Sequence, residues 1–199
     1  MKHKGTSIGL LTLVALLLGI AQADFSGTVT PSDSSIEATG VTYTFQLGYR
    51  LTMTDEDGKL VIRFPGNFED QFTVTSVEAV SGFTATGALT FDWLPSIRLL
   101  SIYGAFDTQV QELIFEVAGV TNPRTAVQTD PFQVDSYETA GGEFIPLESA
   151  SPVIFVTPTS GALSGESLSL SDSTVGAYSQ LTVGLTTVHT IPSDGNVEI

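Results

Sequence analysis

The sequence contains no cysteine, one tryptophan and two histidines among its 199 residues. Without cysteine there can be no disulfides, no thiolate metal sites and no cysteine nucleophile. This does not argue against secretion, because a domain above about 100 residues can bury enough apolar surface to fold without disulfides. Any metal site must therefore use oxygen or imidazole ligands.

Positive charge is also scarce: seven lysines and arginines oppose 22 acidic residues, and the formal net charge is −15. Such a surface repels phosphate backbones and anionic lipid headgroups, which argues against binding to nucleic acid or to an acidic membrane. It suits solubility, divalent cations or salty surroundings.

Only one long apolar run is present, and it has the pattern of a signal peptide. Lys2 and Lys4 precede an apolar core at 8–20, and the small residues of 21–23 form a cleavage site. We predict a signal peptide at 1–23 and a secreted or cell-surface chain that begins at Asp24, with no membrane insertion after cleavage. A membrane anchor that is not cleaved is the alternative interpretation. It ranks second because the apolar run is short for a membrane span. Cleavage lowers the net charge to about −17.

The remaining composition and patterning are typical of an all-β fold. Tyr43, Phe45 and Leu47 alternate with polar residues, an Asp-Gly turn follows, and apolar alternation resumes at 60–64. This is the pattern of two antiparallel strands with one buried face. A change of parity near Ser76 predicts a bulge or bend. Seven to nine short strands are predicted, at 24–30, 41–47, 60–64, 72–79, 88–93, 97–103, 111–117, 132–134 and 153–156, which favours an Ig-like antiparallel β-sandwich.

The pattern of the first hairpin begins again near the end of the chain. Leu181, Val183 and Leu185 repeat the alternation, and a Ser-Asp-Gly turn precedes Val197 and Ile199. The correspondence, with a period of about 138 residues, starts at position 171, and gaps fall only between strands, which indicates tandem repeats.

The domain prediction follows from that period: a sandwich at 24–158, then a joint and an incomplete second sandwich at 159–199. Three strands cannot cover their own apolar faces. Either the chain is the amino-terminal piece of a longer protein, which is the preferred interpretation, or its last residues find their complement elsewhere, for example by strand donation.

The acidic turn Asp55-Glu56-Asp57 is the candidate metal site. Hard carboxylate oxygens on a tight turn suit calcium, the one cofactor that we consider. A solvated hairpin turn accounts for the same residues. The second copy keeps Asp194-Gly195 and loses two acids, which favours the turn interpretation.

Trp93 is the candidate sugar-stacking residue, although a lone tryptophan in a sandwich is more often part of the core. His189 is the only histidine after cleavage, and a Ser-His-Asp triad would require it. Its counterpart in the first copy, Arg50 or Leu51, is not a histidine. No recurring acid–base pair is present, so we predict that the chain is not an enzyme.

The order Tyr43-Thr44-Phe45, an Asp-Gly turn, 60–68, 117–123 and 132–137 resembles the tandem β-sandwich repeats of large secreted surface proteins of protists and some bacteria. The chain departs from that pattern at Thr54-Asp55-Glu56. The resemblance implies cell-surface, fibre or adhesive roles and no catalytic residues.

These observations predict a non-catalytic extracellular structural protein, a building block or spacer of a surface fibre, coat or filament. Its partners would be itself or neighbouring repeats, joined through edge-strand pairing. The alternative is a calcium- or carbohydrate-dependent adhesion module.

Overall fold

The computed structural model describes residues 26–48, 57–68, 72–150 and 154–188. These segments form strands joined by turns, one turn of 3₁₀ helix at Pro95–Ile97 and no α-helix. None of their helices is long and apolar enough to cross a membrane. The strands are β1 (Ser26–Pro31), β2 (Val41–Gly48), β3 (Lys59–Arg63), β4 (Ser76–Ser81), β5 (Gly87–Ala88), β6 (Thr90–Leu94), β7 (Leu99–Tyr103), β8 (Glu112–Val120), β9 (Gln133–Ala140), β10 (Glu143–Ala150), β11 (Ser164–Leu170) and β12 (Leu181–Thr186).

Ten of these strands form two antiparallel five-stranded sheets, in the orders β1-β2-β8-β4-β5 and β10-β9-β3-β7-β6. The constant-type immunoglobulin arrangement places strands A, B, E and D in one sheet and C, F and G in the other. Here β1, β2, β8 and β4 occupy the first set, and β3, β9 and β10 the second. The predicted Ig-like antiparallel β-sandwich is confirmed, with β5, β6 and β7 inserted between the D and E positions.

The core lies between these sheets, and the alternating apolar residues of the sequence supply it. Tyr43, Phe45 and Leu47 of β2 are fully buried, as are Leu113, Phe115 and Val117 of β8. Phe45 stacks on Phe115 at 5.2 Å and meets Phe64 and Phe132 edge-on. Full burial of such a side chain stabilises the fold by about 1.5–3 kcal/mol, so this aromatic cluster is a main source of the sandwich's stability.

The change of parity near Ser76 is present in the structure. Phe72 and Val74 are buried before β4 begins, and Val77 and Ala79 are buried within it. The Thr75 N–H already donates to the Ala118 carbonyl at 2.9 Å. The bend lets four apolar side chains of opposite parity reach one core.

Three strand predictions need correction. β10 was missed, because its exposed Phe144 and Ile145 are neighbours and give no alternation. β11 was not predicted because it lies before position 171, where the correspondence between the two copies starts. Residues 154–156 are not a strand, although Ile154 and Val156 are buried.

The segment 154–159 nevertheless belongs to the first sandwich. The carbonyls of Ile154 and Val156 accept backbone hydrogen bonds, each 2.9 Å long, from Phe132 and Thr129. Further on, the Thr159 N–H donates to Ser34 at 2.7 Å and the Thr159 carbonyl accepts from Ile36 at 3.0 Å. The chain is therefore held against the β1–β2 loop where it leaves the sandwich.

Strands β11 and β12 form a separate two-stranded antiparallel sheet. Among the described segments, neither strand pairs with a strand of the two larger sheets.

Candidate functional site

The predicted calcium turn is only partly visible, because Asp55 and Glu56 lie outside the described residues. The Asp57 carbonyl accepts a hydrogen bond from Thr139 Oγ1 at 3.0 Å, which ties the turn to β9. In the part of the chain that the structure covers, no group of three or more histidines and acidic residues could hold a metal ion. Calcium binding stays a prediction, which melting temperatures with calcium and with chelator would test.

Trp93 is half-buried at the edge of the core. Its ring centroid lies 4.7 Å from that of Phe72 and 5.6 Å from that of Phe64. Its Nε1–H donates to the Phe72 carbonyl at 3.2 Å. These contacts favour a structural role, and sugar stacking stays a prediction. His189 lies outside the described segments.

A buried polar cluster closes one end of the sandwich. The Tyr43 hydroxyl donates to Asn122 Oδ1 at 2.6 Å, and Asn122 Nδ2 donates to the carbonyls of Asp33 and Ser35 at 2.8 and 2.7 Å. Burial raises the pKa of Tyr43 far above its ordinary value, so the hydroxyl remains a donor. The cluster joins the β1–β2 loop to the end of β8. Because all its amide atoms bond within the protein, we interpret it as structural.

The outer surface of the second sheet carries an aromatic cluster around Lys59. Its Nζ lies 4.5 Å from the ring centroids of both Tyr137 and Phe144. Tyr103 packs on Phe144 at 6.0 Å and donates to Asp92. Desolvation raises the pKa values of Tyr103 and Tyr137. Lys59 already fills the cation position between two of the rings, so this cluster fixes β10 to the sheet.

The hairpin β11–β12 has the same strand register as β1–β2. In the first hairpin Pro31 opposes Tyr43 and Val29 opposes Phe45. In the second, Leu170 opposes Leu181 and Leu168 opposes Val183. At the far ends, Ser26 opposes Gly48 and Ser164 opposes Thr186. One extra residue in β11 is taken up by a bulge between Ser164 and Ser167.

The loops of the two hairpins also share their hydrogen bonds. The Ser35 N–H donates to Asp33 Oδ1 at 2.8 Å, and the Thr174 N–H donates to Asp172 Oδ1 at the same distance. Hydrogen bonds from the Thr174 side chain and backbone lower the pKa of Asp172.

A serine hydroxyl closes each loop. Ser32 Oγ accepts from the Thr42 N–H at 3.1 Å, and Ser171 Oγ accepts from the Gln180 N–H at 2.9 Å. The backbone N–H of each serine returns a bond to the carbonyl of the same partner, at 2.8 and 3.0 Å.

Even the left-handed position of the loop recurs: Glu37 has φ 57° and Gly176 has φ 82°. Glu37 is held there by its N–H, which donates to Pro123, and by its ion pair with Arg124 at 3.1 Å. Glycine adopts this conformation without steric cost. The second loop therefore reaches the same shape without those contacts.

The two hairpins differ in burial. Val29 is 8% exposed and Phe45 is fully buried, whereas their counterparts Leu168 and Val183 are 70% exposed and half-buried. Leu181 is 51% exposed. We call Leu168, Leu170, Leu181, Val183 and Leu185 the open face. Beside it lies a shallow, mostly apolar depression of about 260 Å³ that includes Leu163. The opposite side of the hairpin carries serine, threonine and glycine.

The backbone of β12 has one edge without a partner among the described residues, and we call it the free edge. Ser171 exchanges bonds with Gln180, and hydrogen-bonded pairs in an antiparallel ladder recur at every second residue. The backbone groups of Leu181, Val183 and Leu185 therefore point away from β11. Their counterparts in β2 face β8.

The sequence contains a signal for β11 that the strand prediction did not use. Ser164-Gly165 repeats Ser26-Gly27, and Ser171-Asp172-Ser173 repeats Ser32-Asp33-Ser34. The one-residue bulge between these matches hides them from an alignment without gaps.

No protein-family model matches the sequence, and a search of curated proteins finds no significant match. Three chains of known structure match at a significant level, and two of them show how remote the similarity is. One is the collagen-binding domain from a Staphylococcus aureus adhesin, with 9% identity and a TM-score of 0.36 over 64% of this chain and 93% of that one. The other is the collagen adhesin of S. aureus, with 7% identity and a TM-score of 0.41; the match covers 85% of this chain and 53% of that one. At these scores the likeness carries no inference about a ligand.

Proposed function

We propose that this chain is a non-catalytic extracellular structural protein, a building block or spacer of a surface fibre, coat or filament made of tandem Ig-like sandwiches. The observation that supports this proposal best is the second hairpin. It repeats the first in register, in loop hydrogen bonds and in the left-handed loop residue. Unrelated hairpins would not share all three.

The path of the chain out of the first sandwich supports the same proposal. Thr159 bonds to Ser34 and Ile36 in the first β1–β2 loop, and β11 begins a few residues later at Ser164. A linker that is short and held at its start limits how far neighbouring units can bend. Units joined in this way suit a spacer of defined length.

Secretion and the acidic surface fit this role. The predicted signal peptide would deliver the chain outside the cell, where a fold without cysteine needs no oxidative maturation. A net charge of about −17 keeps single molecules apart at low salt. At 0.1 M salt this repulsion is largely screened at distances beyond about 10 Å.

Negative-stain electron microscopy and light scattering of the chain from Asp24 onward test the proposal. We expect strings or filaments of sandwich-sized beads, more abundant at higher salt because the like charges are then screened. The matched comparison is the same preparation at low ionic strength. Single particles at every protein and salt concentration would contradict a role in assembly.

A further inference from the structure

We propose that the open face and the free edge of β12 accept an extended segment with the alternating pattern of β8, supplied by another sandwich unit whose own β1–β2 hairpin does not occupy that strand. The segment would run antiparallel to β12 and complete its sheet. This inference rests on the proposed structural function and names the partner through which units assemble.

The partner's chemistry follows from the first sandwich, where the equivalent edge is already filled. There β2 pairs with β8: Tyr43 opposes Val117, Phe45 opposes Phe115, and Leu47 opposes Leu113. All six side chains are fully buried. Since β12 repeats β2, the residues opposite Leu181, Val183 and Leu185 should be apolar and should alternate with polar ones.

The backbone supplies the directional part of this recognition. Leu181, Val183 and Leu185 of β12 present N–H and C=O groups on the edge away from β11. An added strand bonds to such groups whatever its sequence, and its alternate side chains provide specificity.

The charge of the hairpin permits a partner as acidic as this protein. Glu166 is the only charged residue of β11 and β12. On the side opposite the open face, Thr182, Gly184 and Thr186 are neutral, so acidic residues at the polar positions of a partner strand, such as Glu112 and Glu116 of β8, would meet no like charge on β12.

A second hairpin of the same kind is a poorer occupant. Two β12 strands paired edge to edge would satisfy each other's backbones, but every leucine of both open faces would remain in water. A β8-like strand belongs to a unit that also has an opposing sheet. The strand would pair with the free edge of β12, and the opposing sheet would cover the open face.

The test uses the chain from Asp24 onward and a fluorescent peptide with the sequence of residues 111–121. A control peptide exchanges Glu112 with Leu113 and Phe115 with Glu116, which moves carboxylates to the apolar side. We expect saturable binding of the first peptide, seen as fluorescence anisotropy, and at least tenfold weaker binding of the control. Amide hydrogen exchange at Leu181, Val183 and Leu185 should slow on binding.

Matched variants locate the site on β12. Val183→Asp places a charge on the open face, and Val183→Pro removes a backbone donor from the free edge without touching the bonds to β11. Each should weaken peptide binding at least about tenfold, equivalent to 1.4 kcal/mol. Thr182→Asp adds the same charge on the opposite side and should change binding less than about twofold. Trp93 fluorescence should be unchanged in all three, which shows that the first sandwich is intact.

Several results would overturn the inference: no saturable binding, equal binding of both peptides, or full binding by Val183→Asp. So would a dimer of the wild-type chain that Val183→Pro abolishes, because a second hairpin would then fill the edge. Filaments that persist without any peptide binding would leave the structural function standing and remove this inference alone. Peptide binding by a chain that never forms filaments would support the inference and contradict the assembly role.

Discussion

Replacing Asn122 with alanine should destabilise the sandwich more than any exposed substitution near it. The side chain is 2% exposed and makes three hydrogen bonds, one from the Tyr43 hydroxyl and two to the carbonyls of Asp33 and Ser35. Alanine removes all three and leaves the buried tyrosine hydroxyl without its acceptor. The variant therefore tests whether this cluster closes the end of the fold.

The expected size follows from those bonds. Each contributes about 0.5–1.5 kcal/mol net, and a buried donor without a partner costs about 1–3 kcal/mol. We expect Asn122→Ala to lower the free energy of unfolding by about 3–5 kcal/mol. Tyr43→Phe loses one bond and should cost about 1–2 kcal/mol. In the double variant the hydroxyl that Asn122→Ala leaves without an acceptor is absent. The loss in free energy of unfolding should therefore be about 1–2 kcal/mol smaller in the double variant than the sum of the losses in the two single variants.

Urea unfolding followed by the fluorescence of Trp93, the only tryptophan, measures these values in the first sandwich. Thr125→Ala, an exposed substitution three residues along the chain, is the control and should change stability by less than about 0.5 kcal/mol. If Asn122→Ala costs less than about 1 kcal/mol, or if its cost adds fully to that of Tyr43→Phe, the hydrogen bonds of this cluster do not stabilise the end of the fold.

Three further predictions concern the same sandwich. Burial raises the pKa of Tyr43 above its ordinary 10.0, so above about pH 10 the unfolded chain loses a proton that the folded chain keeps. Stability should then fall by up to about 1.4 kcal/mol per pH unit, and urea midpoints at pH 9 to 11 should show a shallower fall in Tyr43→Phe. Gly119 has φ 90°, and a Cβ there would collide with the Thr73 carbonyl oxygen. Gly119→Ala should therefore lower the free energy of unfolding by well above the about 1–2 kcal/mol expected for Gly40→Ala, whose Cβ would meet nothing within 4 Å. Equal melting temperatures of the two variants would refute this. Trp93→Phe should lower the free energy of unfolding by about 1–2 kcal/mol, because packing and one hydrogen bond are lost, and circular dichroism measures this. It is also the safer variant for sugar-binding assays.

The sequence predicted best the strands in which one face is buried. In β2 and β8 the buried apolar residues fall at every second position over five residues, and the structure packs them against each other. The alternation predicted at 60–64 is wrong for β3, which also buries Val61 and is therefore covered on both faces. Phe45 and Phe115 could be placed in the core without coordinates, because strict alternation of apolar and polar residues is typical of a half-buried strand. The parity change near Ser76 was readable for the same reason.

Strands whose pairing depends on tertiary context could not be predicted in this way. β10 places Phe144 and Ile145 side by side, and the two-glycine turn Gly141-Gly142 joins it to β9. The position of Phe144 beside Lys59 and Tyr103 depends on three strands that are distant in sequence. Asn122 gave no signal either, since the two carbonyls that it binds lie almost 90 residues earlier.

The departures of the second hairpin from the first limit what its partner can be. Leu181 replaces Tyr43 and has no hydroxyl, so an asparagine placed like Asn122 at the end of a partner strand would have an unmet acceptor. A buried acceptor without a donor costs about 1–3 kcal/mol. Gly176 in place of Glu37 also removes the carboxylate that meets Arg124. The strand that completes β12 should therefore keep the apolar alternation of β8 but carry an apolar or small residue at the position of Asn122. The end of the second sandwich would then be closed by packing, where the first is closed by hydrogen bonds.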